Sequence, residues 1–241
     1  MRDVMTTLAL AAALPVSAQI SLGSAPDANQ FLNFAALASG AYDNVIVANG
    51  VGFAERFAGQ MLTDVAGHDQ LGGSPTAPLA LLAGAPGRNL AVLDDGSGTV
   101  YASGVGSAGH PNLNAIGEGS IAVLFPSNQS QIFTSFYTGG GPGATLHYDF
   151  FRRNGSLIDS ITLDSITDGG QDFMRNGGVK DIAGYSIWNT GGNGIVLYEF
   201  VRFDVAPAVP EPGTYALMLL GLACLAGLRG RRQETEGSSR H

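Results

Sequence analysis

What most limits the fold open to this chain is its punctuation. Thirty-five glycines and 11 prolines in 241 residues cut it into short apolar runs. No long stretch repeats its apolar residues at the three-to-four spacing of an amphipathic helix. The runs are rich in Val, Ile, Phe and Tyr, and the separators in Gly, Asn, Asp, Ser and Pro, which is the pattern of strands joined by turns. It predicts strands over Asn44–Ala48, Val51–Phe57, Leu79–Leu82, Leu90–Leu93, Thr99–Ala102, Ser120–Phe125, Gln131–Tyr137, Ala144–Phe151, Leu157–Leu163, Ile182–Trp188 and Ile195–Phe203. Gln30 to Ala38 reads as a short helix. That many strands at this spacing fit an all-β fold, a jelly-roll-like β-sandwich. A solenoid would need a fixed repeat period, and none is present.

The sharpest local signal is Asn154-Gly155, flanked by Leu146–Phe151 and Leu157–Leu163. Asn-Gly supplies the positive φ angles of a tight hairpin turn. Cysteine is used once, at Cys224, outside this region, so the body has no disulfide, no thiolate zinc site and no thiol nucleophile. Between Gln19 and Ala208 the chain carries 16 acids and 7 bases. That surplus argues against nucleic acid or anionic lipid as a partner.

Both ends read as export signals. Arg2 begins a thin positive region, Val4 to Leu14 is mostly apolar, and Val16-Ser17-Ala18 is a small-residue cleavage site. The reading is a signal peptide over 1–18, cut between Ala18 and Gln19, and an extracytoplasmic domain over 19–208. At the other end, Pro210 and Pro212 impose an extended, protease-accessible segment. An uncharged run from Tyr215 to Leu228 follows, then Arg229-Gly230-Arg231-Arg232. The run is apolar all round, as a membrane helix is and a core helix is not. Its roughly 14 residues give roughly 21 Å, short of a hydrocarbon core of roughly 30 Å. Snorkelling of Arg229 and local thinning of the bilayer narrow that gap. The arginines form a basic stop on the inner face.

Pro210-Glu211-Pro212, a short hydrophobic helix and an arginine cluster, in that order, resemble the PEP-CTERM sorting domain of exported bacterial proteins. The resemblance implies an exosortase, a membrane transpeptidase, as processing partner, with Pro210, Glu211 and Pro212 as the recognition element and Arg229, Arg231 and Arg232 as the basic stop. It implies transient anchoring in the inner membrane and then release to the cell surface, outer envelope or medium, in bacteria that make exopolysaccharide. The sorting segment spans 209–232, and the polar extension over 233–241 departs from such tails, which normally stop soon after the arginines. Blocks in the body, such as Gly52-Phe53-Ala54-Glu55-Arg56-Phe57 and Asp181-Ile182-Ala183-Gly184, are similar to blocks in uncharacterised surface proteins of this kind. The late-strand Asp-Asn pair often found in those proteins is missing here.

No catalytic set stands out in the body. Gly104-Val105-Gly106-Ser107-Ala108-Gly109 matches a dinucleotide fingerprint in form, but His110-Pro111-Asn112 follows and no helix can continue from it. His68, His110 and His147 do not stand at metal-ligand spacing. Carboxylates in Gly-rich loops, Asp94 with Asp95 and Asp168 with Asp172, are candidates for a structural calcium ion, although Asp-Gly is first of all a turn signal. No other cofactor is implied. Aromatic rings stack on sugars, and Trp188 with Asn189, beside a polar Gly-rich loop, is the candidate ligand pair. The expectation is an exported, exosortase-processed surface or matrix protein, non-enzymatic and associated with exopolysaccharide. The alternative is a secreted carbohydrate-active or other hydrolase carrying the same tail.

Overall fold

The structure is a computed structural model and describes residues 18–23, 30–138, 144–191 and 197–203. Among these residues, strands numbered β1 to β19 in chain order form two large antiparallel sheets and two small ribbons. The first sheet runs β1 (Ile20–Gly23), β17 (Gly169–Arg175), β14 (Gln131–Tyr137), β19 (Leu197–Phe203), β11 (Val100–Val105), β10 (Leu90–Asp94), β3 (Gly40–Tyr42). Two further strands join it: β12 (Ile116–Gly119) on β11 and β2 (Gln30–Asn33) on β19. The second sheet runs β16 (Leu157–Ile166), β15 (Ala144–Phe151), β18 (Ile182–Thr190), β13 (Ile121–Gln129), β5 (Val51–Ala54), β4 (Ile46–Ala48). The ribbons pair β6 (Arg56–Phe57) with β9 (Leu81–Leu82) and β7 (Met61–Val65) with β8 (His68–Gly72).

From β13 onward the chain changes sheet at every step except the β15–β16 hairpin. This leaves the order β17-β14-β19-β11 in one sheet and β16-β15-β18-β13 in the other. The two sheets share one core, built by the period-two alternation of their strands. Leu146, Tyr148 and Phe150 of β15 are fully buried and alternate with half-buried Thr145, His147 and Asp149. Tyr148 and Phe150 meet Phe173 of the opposite sheet with ring centroids 4.6 and 5.0 Å apart. The Tyr148 hydroxyl lies 3.0 Å from Thr134 Oγ1, so the buried phenol is satisfied across the core. Phe34 and Phe53 close the same core in an edge-to-face pair at 5.2 Å. Each such ring contributes about 1.5–3 kcal/mol by burial.

The all-β expectation holds for the described residues. Two local expectations do not. Gln30–Asn33 is strand β2, not the start of a helix, because it pairs with β19, from Gln30↔Phe203 to Asn33↔Phe200. At Asn154-Gly155 only Gly155 takes a positive φ, 78°. The Gly155 amide donates to the Arg152 carbonyl and the Arg152 amide to that of Ser156, each at 2.9 Å. This is a turn closed by one left-handed glycine rather than a two-residue turn with both residues at positive φ. The C-terminal apolar run lies outside the described residues; among those described, no helix is long and apolar enough to cross a membrane.

Polar groups enter the interior on very different terms. Asn89, 1% exposed, accepts from the amides of Glu55 at 2.8 Å and Gly84 at 3.1 Å. It donates to the carbonyls of Tyr42, at the end of β3, at 2.7 Å and of Asn44 just after it at 2.9 Å, so four backbone groups from three stretches of chain converge on one amide. Asn189 on β18 is equally buried, yet neither its Oδ1 nor its Nδ2 has a hydrogen-bond partner among the described residues. Asp69 on β8 falls between. Its Oδ2 accepts from the Ser120 amide at 3.4 Å, while Oδ1 has no hydrogen-bond partner among the described residues and only a long ion pair, 4.0 Å from the Arg88 guanidinium. Burial pushes its carboxyl up to about 6.

Candidate functional site

The β10–β11 hairpin carries Asp94-Asp95-Gly96-Ser97-Gly98 across its turn, and the carboxylates shape it. Asp94 Oδ1 accepts from the Gly96 amide at 2.8 Å. Asp95 Oδ1 accepts from the Ser97 amide at 2.8 Å, the Ser97 hydroxyl at 2.7 Å and the Thr99 amide at 3.3 Å. These bonds, that from the Ser97 hydroxyl foremost, hold Asp95 below the usual carboxylate range. Its other oxygen, Oδ2, accepts from the Tyr101 hydroxyl at 3.2 Å.

Tyr101, on β11, in turn stacks on Tyr137, at the end of β14, with ring centroids 6.1 Å apart and planes 28° from parallel. Leu93, Asp94, Asp95, Tyr101 and Tyr137 together line an open cleft of about 470 Å³. Tyr137 is 40% exposed. Two rings therefore offer apolar faces beside carboxylates whose positions are fixed by the turn. Such a surface packs against C–H faces while accepting hydrogen bonds from hydroxyl groups.

The other predicted carboxylates sit elsewhere. Asp168 Oδ1 accepts from the Thr138 amide at 2.8 Å and its hydroxyl at 2.7 Å, which holds Asp168 low. It lines a shallow cleft of about 440 Å³ at the β16–β17 turn, with Asp164 and Phe136. Asp172 is buried within β17, where it accepts from Gln131 Nε2 at 2.9 Å. Among the described residues, no three His, Cys, Asp or Glu side chains converge as a metal site would require.

The predicted ligand pair is divided by the strand that carries it. On β18, Tyr185, Ile187 and Asn189 point into the core, and Ser186, Trp188 and Thr190 to the opposite face. Trp188 is half-buried and lies on the His147 imidazole, centroids 5.3 Å apart and planes at 17°. That imidazole is held on both sides, 3.1 Å from Thr162 Oγ1 and 2.8 Å from Thr190 Oγ1. One face of the indole is thus covered, and Asn189 cannot reach a ligand on the other. Nor is the Gly104–Gly109 stretch a phosphate loop. Gly104 belongs to β11, and a side chain there or at Gly119 would run into the backbone of the other strand.

Tyr101 was missed by sequence reading, and nothing in the spacing links it to Tyr137. Pro210, Glu211, Pro212, Arg229, Arg231 and Arg232 lie outside the described residues; Ala18 and Gln19 lie within them, beside β1.

A folded β body followed by a separate C-terminal signal is the layout of an exported protein sorted by its tail. A family model described as the PEP-CTERM protein-sorting motif matches residues 208–233. The chain thus carries a PEP-CTERM sorting motif at its C-terminal end, which implies export and sorting through an exosortase. No curated protein matches it.

Proposed function

We propose that the protein is a non-enzymatic component of the cell surface or extracellular matrix that binds exopolysaccharide. Its body would then be a β-sandwich of jelly-roll type, the reading favoured by the strand orders β17-β14-β19-β11 and β16-β15-β18-β13. In this reading residues 1–18 are removed on export, Tyr215–Leu228 holds the chain in the inner membrane, and exosortase releases it near Pro210-Glu211-Pro212. Donors from their own turn hold the carboxylates of Asp94 and Asp95 in place.

The observation that carries the glycan reading is the stack of Tyr101 on Tyr137 above the fixed carboxylates of Asp94 and Asp95. Sugar rings present the matching chemistry, an apolar face rimmed by hydroxyl donors. Binding of the processed protein to exopolysaccharide from its own source tests this, with wild type beside Tyr137→Ala. We expect saturable binding, weakened about tenfold by the substitution, a loss near 1.4 kcal/mol, with the circular dichroism unchanged. Equal binding by the two proteins would sink the assignment of the cleft. Release of new reducing ends from the same polysaccharide would replace the binding reading with the hydrolase one.

A further inference from the structure

Gln19, which the Val16-Ser17-Ala18 site would leave at the head of the exported chain, is seated in a dense set of contacts. Its backbone nitrogen donates to Asp159 Oδ2 at 2.6 Å, and the Ile20 amide donates to the same oxygen at 2.9 Å. Its side-chain Oε1 accepts from Arg175 Nη2 at 2.8 Å and Arg152 Nη2 at 3.3 Å. Its carbonyl accepts from Arg175 Nη1 at 2.9 Å and from the Asn176 amide at 3.0 Å. The two guanidiniums are held by one carboxylate, Asp181, at 3.0 Å from Arg152 and 2.8 Å from Arg175. Ala18, one residue before, is exposed, and its carbonyl accepts from Asn176 Nδ2 at 2.7 Å.

Strand pairing alone does not require this. The register of β1 on β17 begins at Ile20↔Arg175, so Gln19 stands just ahead of the ladder and is fixed by side chains. Of the charged groups set around Gln19, Asp159 touches its nitrogen, Arg152 and Arg175 touch its oxygens, and Asp181 pairs with both guanidiniums. In an uncut chain that oxygen meets a neutral amide. Hydrolysis of the Ala18–Gln19 bond by a leader peptidase, with water as co-reactant, leaves a carboxylate on Ala18 and an ammonium on Gln19. The same contact then becomes a charge-assisted ion pair.

We infer that Asp159, Arg152 and Arg175 form a receptor for the mature amino terminus, so that removal of the leader tightens the contact. The receptor joins the open sides of the two sheets, because β1 is an edge strand of one and Asp159 lies on β16, an edge strand of the other. Edge strands are the usual sites of unwanted pairing between chains, and a charged clasp across both covers one such flank.

The inference rests on the export reading, and the experiment separates the two. The full-length chain is expressed in a secreting bacterial host, and the first residue of the exported protein is read by mass spectrometry. A chain beginning at Gln19 has only two amines, its own α-amine and Lys180, the single lysine of the sequence. Competitive acylation near neutral pH then reports the α-amine against Lys180 as internal reference, in wild type and in Asp159→Asn, which keeps shape and removes charge. We expect the substitution to speed acylation of Gln19 roughly threefold relative to Lys180, as loss of an ion pair lowers the amine's proton affinity. A first residue other than Gln19 overturns the cleavage reading and the receptor together. A chain that starts at Gln19 but labels identically in both proteins overturns the receptor alone.

Discussion

Asn89 and Asn189 are the same side chain at the same depth, and the molecule treats them in opposite ways. Asn89 gathers four backbone groups from three stretches of chain, and the Asn189 side chain has no hydrogen-bond partner among the described residues. The two differ in what surrounds them. Loops and strand ends arrive at the interior with unpaired amides and carbonyls, and an asparagine that meets two of each satisfies all of them. On β18 the backbone at Asn189 is already paired with Leu146 of β15, and the side chain turns into the core beside those of Tyr185 and Ile187. A buried amide stabilises the first setting and is a burden in the second.

Three substitutions sharpen this contrast. Asn89→Ala should cost the most, about 3 kcal/mol, since it strands buried backbone donors and acceptors; a urea midpoint unchanged from wild type would show that water takes over those bonds. Asp69, with one long hydrogen bond and one oxygen that has none among the described residues, comes next. Its folded-state pKa is raised to about 6, so the folded protein binds that proton more tightly than the unfolded chain. The resulting stability is present in full below about pH 4 and is lost as pH rises through about 6. Asp69→Asn should therefore stabilise by about 2 kcal/mol at pH 8 and by nearly nothing at pH 4. Thermal melts at both pH values decide it, and a gain of equal size at both would point to packing instead of charge. Asn189→Leu should show the smallest effect, a gain of about 1 kcal/mol by denaturant titration. A clear loss there would break the comparison by revealing a partner for the amide.

Local features were legible in the sequence, and features that depend on distant pairing were not. Gln131–Tyr137 and Ala144–Phe151 coincide with β14 and β15, because each carries its own run of β-forming side chains. The hairpin after β15 was visible for the same reason, although its turn type was not. By contrast, β17 opens Gly169-Gly170-Gln171-Asp172 and reads as a loop; what makes it a strand is β1 on one side and β14 on the other. Gln30–Asn33 was misread because its partner lies some 170 residues away. At the sites, Asp94-Asp95-Gly96 announced a turn and was one. Tyr101 and Tyr137 come from two strands with β19 between them, so no spacing rule could join them. The division of Trp188 from Asn189, however, follows from the period-two rule alone and could have been read from the strand itself.

The position of β19 has a consequence for the order of events during export. This strand is the last before the sorting segment, yet it lies inside its sheet, paired with β14 on one side and with β11 and β2 on the other. A chain threaded across a membrane from its amino end delivers β2 early and β19 last. The gap in the middle of the sheet stays open until about four-fifths of the sequence has emerged. Closure of so non-local a pairing is slow by nature. On the export route proposed above, the domain would complete itself only as its tail comes to the membrane, and folding and sorting would then be timed by the same stretch of chain.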